Sequence, residues 1–112
     1  MTRTATTADV FNAVGDATRR RILDTLAGGD APVGSLAGEL GLSQPQASKH
    51  LRVLREVGLV EAHVTGRRRV YCLRPEALQP LGTWLEALTA QVNARLDRLD
   101  DYLYALQAEE NH

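Results

Sequence analysis

Between Leu36 and Leu54 the chain spells a helix, a tight turn and a second helix, and no other feature restricts its fold as strongly. Val33, Leu36, Ala37 and Leu40 recur at i, i+3, i+4 and i+7, the spacing of one helical face. Gly41 follows, where a glycine relieves the backbone at a helix C-terminus. Ser43 is an N-cap residue, and Pro45 suits a first turn, where its missing N–H costs nothing. The next helix therefore starts at Gln44 or Pro45. At about 100° per residue, Ala47, Leu51, Leu54 and Gly58 fall on one stripe, with Gln46, Ser48, Lys49, Arg52 and Val53 on the rest of the cylinder and His50 at the border.

The flanking segments supply a frame for this unit. Residues 1–8 are Thr/Ala-rich without periodicity and read as a flexible arm. A short helix over Ala8–Val14 buries Val10, Phe11 and Val14. Gly15 breaks it, and Asp16 caps a second helix that runs to about Ala27 with Ile22, Leu23 and Leu26 on one side. Gly28-Gly29-Asp30 ends that helix. Leu59 to Arg74 alternates into two strands about Thr65-Gly66, with Val60, Ala62 and Val64 in one phase and Val70, Cys72 or Tyr71, Leu73 on the return. Arg67, Arg68 and Arg69 come just past the turn, so the hairpin has the character of a wing.

A chain of 112 residues suits one domain, and 44% hydrophobic with 24% charged residues is ordinary for a globular protein. The single cysteine, Cys72, excludes an intramolecular disulfide. The N-terminus has no apolar run fit for a signal peptide or membrane span, so a cytoplasmic protein without a membrane partner is expected. The net charge of −1 conceals an uneven distribution. Residues 1–75 carry 11 basic and 7 acidic side chains, whereas residues 76–112 carry Arg95 and Arg98 against 7 acids. From Ser43 to Arg74, seven basic residues face only Glu56 and Glu61. Local charge, not the total, governs what such a surface attracts.

A helix packed through Ala47, Leu51 and Leu54, with amide, hydroxyl and cationic groups elsewhere, suits the DNA major groove. A solvated polar face is the common alternative; the preceding helix and turn, and the basic hairpin after it, favour DNA. Ser43, Gln44, Gln46, Ser48, Lys49, His50 and Arg52 are the expected recognition surface, with Arg67, Arg68 and Arg69 on the wing. Arg19, Arg20 and Arg21 could reach phosphate, but three arginines in a row point to different helical faces and are expected to divide between salt bridges and solvent. His50 reads as a hydrogen-bonded boundary residue or phosphate contact, since no nucleophile or carboxylate is spaced to work with it. Trp84 reads as core. No phosphate loop, carboxylate pair or nucleophile elbow occurs, so neither enzymatic activity nor a cofactor is expected.

Three stretches, "VGDATRRRILDTL" (14–26), "VGSLAGELGLSQPQASKHLRVLREVGLV" (33–60) and "TGRRRVYCL" (65–73), resemble the ArsR-type winged helix-turn-helix regulators of bacteria in order and spacing. The resemblance implies a homodimeric transcriptional repressor whose fourth helix reads an operator while its hairpin touches the backbone or minor groove. Relatives with metal sites carry a Cys-containing box on the third helix, where this chain has "DAPVGSLAGEL", or ligands on terminal helices, where it has only His112 after His63. Cys72 alone cannot supply the several ligands of a tight transition-metal site, so no metal is expected.

The C-terminal segment repeats Leu78, Leu85, Val92, Leu99 and Leu106 every seven residues, with Leu81, Leu88, Leu96 and Leu103 between them. Trp84 and Tyr102 widen this seam. Pro80 separates a short helical turn from a long helix reaching about 40 Å by Ala108. Such a stripe exceeds what this small core can cover, which favours a second copy as its partner, with Leu81, Trp84, Leu85, Leu88, Val92, Leu96, Leu99 and Leu103 at the interface. The expected fold is mainly α with a two-stranded β wing: an arm over 1–8, a winged helix-turn-helix over 9–75 and a dimerisation helix over 76–112. The expected function is repression from an imperfect palindromic operator on double-stranded DNA, with autoregulation; no inducer is legible. The alternatives are a metal- or redox-responsive repressor using Cys72 and a winged-helix module that binds protein instead of DNA.

Overall fold

The computed structural model describes residues 7–110, so most of the expected arm, and His112, lie outside the described residues. In chain order the elements are α1 (Thr7–Val14), α2 (Ala17–Ala27), β1 (Ala31–Pro32), α3 (Val33–Leu40), α4 (Gln44–Glu56), β2 (Val60–Thr65), β3 (Arg68–Leu73), a 3-10 turn (Pro75–Leu78) and α5 (Gln79–Glu110). They divide into two compact units, one ending at Leu81 and the other beginning at Gly82.

The first unit is built around one aliphatic core. Val10 and Ala13 of α1, Ile22 and Leu26 of α2, Leu36 of α3, and Leu51 and Leu54 of α4 meet Val60 and Tyr71 of the sheet, with Val57 and Leu59 filling the corner after α4. The periodic positions of α3 reach this core as expected: Leu36 and Ala37 are buried, and Val33 and Leu40 pack at its edge. Gly58 is a correction, because it lies beyond the last turn of α4 and not on its buried stripe. Phe11 is only half-buried; Ala13 takes the deeper position.

Helix ends are closed by side chains. Asp16 caps α2 by accepting the Arg19 backbone N–H at 3.0 Å, and that N–H, with smaller help from the Arg19 and His50 charges, holds its carboxyl below the usual carboxylate range. Arg19 Nε donates to the Ala13 carbonyl at 2.8 Å and its Nη2 to Asn12 at 3.1 Å, while Arg20 Nη1 donates to Val14 at 2.8 Å. Arg21 Nη2 donates to Leu40, the last carbonyl of α3, at 3.4 Å. Among the described residues these arginines bond to backbone carbonyls, where salt bridges were expected. These guanidinium groups satisfy C-terminal carbonyls, which no intrahelical N–H can reach and where a cation also complements the helix dipole.

The sheet is antiparallel in the order β1-β3-β2. The hairpin pairs Val60 with Leu73, Ala62 with Tyr71 and Thr65 with Arg68. It turns through Gly66-Arg67, one residue later than expected. Gly66 has φ 63°, a left-handed value that a two-residue hairpin turn readily gives to glycine. β1 adds a third strand that the sequence pattern did not reveal: Ala31 pairs with Tyr71 and Pro32 with Val70. Two residues are too few for alternation to show, and Pro32 is tolerated because β1 is an edge strand.

In the second unit α5 continues as one helix without a break. Trp84 is 50% exposed, which corrects its assignment to a core, and Leu85, Leu88, Val92, Leu96, Leu99 and Leu103 are exposed along the same helix. No helix among the described residues is long and apolar enough to cross a membrane.

Candidate nucleic-acid interface

α4 is anchored from inside and held at its start by its own first turn. Ala47, Leu51 and Leu54 are fully buried. Ser43 Oγ accepts the Gln46 backbone N–H at 3.2 Å, and Gln46 Oε1 accepts the Ser43 backbone N–H at 2.9 Å. This reciprocal capping box satisfies two backbone donors at once, and Pro45 in the same turn lacks the N–H that would need a partner. Gly41 ends α3 with φ 69°, and its N–H donates to Ala37, so the chain reverses quickly into the α4 cap.

The expected recognition residues separate by position. Ser48, Lys49 and Arg52 are exposed. Ser43 and Gln46 are exposed too, but their oxygens are committed to the cap, which leaves the Gln46 amide N–H groups for a ligand. The Gln44 amide nitrogen lies 3.8 Å from where a Cβ on Gly34 would stand, so this side chain turns toward the start of α3. His50 is half-buried, the boundary position expected of it. Arg55 escaped the sequence reading: it is exposed, and with Arg52 it lines a shallow groove between α4 and β2 whose other walls include Glu56 and Glu61. Its place in the last turn, three residues after Arg52, was the available signal.

On the wing, Arg67 occupies the turn itself and Arg68 and Arg69 open β3. All three are exposed. Arg68 pairs with Thr65 and Arg69 with Val64, so strand alternation sends these two arginines to opposite faces of the hairpin. Arg74, further along, is occupied by Glu61, to which its Nε donates at 2.6 Å. Both partners are largely exposed, and such a pair contributes little to stability.

A helix-turn-helix followed by a basic hairpin agrees with what this chain is similar to. Residues 16–62 match the model of the bacterial regulatory protein family arsR. The transcriptional repressor SdpR of Bacillus subtilis is 38% identical over 77 residues, which cover 69% of this chain and 86% of the relative. The chain belongs to the ArsR family. The ArsR assignment is supported further by the HTH-type transcriptional regulator Rv2034 of Mycobacterium tuberculosis, 44% identical over 84 residues, with 70% of this chain and 78% of the relative covered. An ArsR-like transcriptional regulator from Rhodococcus sp. RHA1 superimposes with a TM-score of 0.69 at 35% identity, over 83% of this chain and 88% of that one. The homodimeric winged helix-turn-helix DNA-binding domain, fragment 1–100, of Mb0332 from Mycobacterium bovis gives a TM-score of 0.61 at 31% identity, over 79% and 82%. ArsR membership makes the chain a DNA-binding transcriptional regulator of winged helix-turn-helix fold and not an enzyme.

The cap and the outward face should respond differently to alanine. Ser43→Ala is expected to cost about 1 kcal/mol of stability by urea unfolding, the usual value of a lost N-cap, while Ser48→Ala stays within about 0.5 kcal/mol. Equal losses for the two variants would contradict the assignment of Ser43, and not Ser48, to holding the helix.

Proposed function

We propose that this ArsR-family protein is a homodimeric repressor that binds an imperfect palindromic operator and controls its own expression in the cytoplasm. The observation that carries the reading is the joint exposure of Ser48, Lys49 and Arg52 on α4 and of Arg67, Arg68 and Arg69 on the wing, all within one compact unit. Ser48, with the free amide N–H groups of Gln46, suits hydrogen bonds to base edges, Lys49 and Arg52 suit bases or phosphates, and the wing arginines suit phosphate or the minor groove. The apolar row of α5 from Leu81 to Leu103 supports a second copy as its partner, and the homodimeric Mycobacterium bovis relative supports the same assembly. Two recognition helices related by a twofold axis would then address half-sites about one DNA turn apart, roughly 34–36 Å.

The test is titration of operator and random DNA over several salt concentrations. Ser48→Ala is expected to cost about 1–3 kcal/mol on the operator and little on random DNA, because only base contacts carry sequence information. Removing a phosphate-contacting wing arginine should weaken both alike and reduce the slope of log affinity against log salt by about 0.9. Arg68 and Arg69 point to opposite faces, so their single alanine variants should differ. Wing variants that all leave both affinities and the salt slope unchanged would remove the hairpin from the interface.

A further inference from the structure

The outward side of the sheet carries a second chemical grouping. Val60, Ala62, Tyr71 and Leu73 turn toward the core, so the alternate positions His63 and Cys72 lie on the opposite face of the hairpin. β1 adds a third row: one step before the Ala31–Tyr71 pair, Asp30 comes alongside Cys72. The ligating atoms of Asp30, His63 and Cys72 all lie within 4.8 Å of one another. Cys72 is only 8% exposed yet stands outside the cluster that makes the core. A buried thiol often serves as a small hydrophobe, but that role requires neither an imidazole nor a carboxylate beside it. Cys72 was expected to stand alone, but it has two side chains of ligating type beside it, Asp30 from the segment before β1 and His63 from β2, far apart in sequence.

We propose that Asp30, His63 and Cys72 form a site for one zinc-class divalent cation, which ties the segment leading into α3 to both strands of the wing. The donor set of carboxylate oxygen, imidazole nitrogen and thiolate sulfur matches the borderline-soft preference of zinc. In a tetrahedral zinc site, bonds of about 2.0–2.3 Å place ligand atoms about 3.4–3.8 Å apart. Closing the cluster from its present spacing therefore needs a contraction of about 1 Å, within reach of the exposed Asp30 and His63 side chains. Three protein ligands leave the fourth position to water. Glu61, opposite Cys72 in the register, is held by Arg74 and does not compete. The site lies on strands, apart from the third-helix and terminal-helix positions that the family resemblance would have suggested, and it does not rest on the operator reading.

The experiment uses the full chain without DNA. Cobalt(II) added to the reduced protein is expected to produce a thiolate-to-metal charge-transfer band and tetrahedral ligand-field bands that saturate at one ion per chain and are displaced by zinc. Zinc affinity, measured in competition with a chromophoric chelator, should fall about 100-fold or more in Cys72→Ser and His63→Ala, since loss of even an outer partner of a ligand costs 10–100-fold. Asp30→Asn, a change on an exposed side chain, should weaken binding with the fold intact by circular dichroism, and His50→Ala should leave it unchanged. Absence of the charge-transfer band in the unaltered protein overturns the proposal, whatever the variants do. So does zinc affinity that survives both Cys72→Ser and His63→Ala.

Discussion

Replacing both Leu85 and Val92 with glutamate is expected to give a monomer by sedimentation and to lower operator affinity by about 100-fold or more. The estimate follows from losing the second half-site: two linked contacts gain about 10²–10⁴ over either alone, and a chain that presents one recognition helix forfeits that gain. Leu85 and Val92 are one heptad apart on α5 and are 47% and 46% exposed, so charge can be introduced there without filling or emptying the core. The variant should keep most of its helical circular dichroism, and random-DNA affinity should fall much less than operator affinity. A double variant that sediments as a dimer would remove α5 from the interface.

Leu51→Ala is expected to cost about 2–5 kcal/mol, which is a large share of the roughly 5–15 kcal/mol that holds a domain of this size. Leu51 is completely buried between Ala47 and Leu54 on α4 and belongs to the core that α1, α2, α3 and the sheet share. Truncating it leaves a cavity directly beneath the exposed face of the same helix. Urea unfolding of Leu51→Ala beside Arg52→Ala checks this: the neighbours differ by one residue in sequence and should differ by several kilocalories in effect, about 2–5 against less than 0.5. A Leu51→Ala loss below about 1 kcal/mol would mean that α4 is not anchored as described.

The helices were legible because their apolar spacing, caps and breakers agreed. Val33 to Leu40 with Gly41, and Ser43 with Pro45, located α3 and α4 to the residue or nearly so. The box formed by Ser43 and Gln46 was also present in the sequence as a serine followed three residues later by a glutamine. Other features had no local signal. β1 is defined only by its pairing with Val70 and Tyr71. The three consecutive arginines of α2 acquire their partners from α1 and α3 once those helices pack, so their hydrogen bonds to Ala13, Val14 and Leu40 depend on tertiary geometry. The approach of Asp30 and His63 to Cys72 likewise requires three strands to assemble. Charge counted along the sequence marked the basic region well, but it could not distinguish an arginine holding a carbonyl from one left at the surface.

The way α4 is secured bears on how a regulator of this kind diverges. Its inner residues and its capping box hold the helix through positions 43, 46, 47, 51 and 54. Ser48, Lys49 and Arg52 lie outside that set and are exposed, and their side chains take no part in the capping box or the core. Substitutions there leave the folding free energy nearly untouched. A duplicated copy could therefore acquire a new target sequence through a few nearly neutral steps, whereas exchange of Gln46 would carry a stability penalty that restricts which new sequences are reachable first.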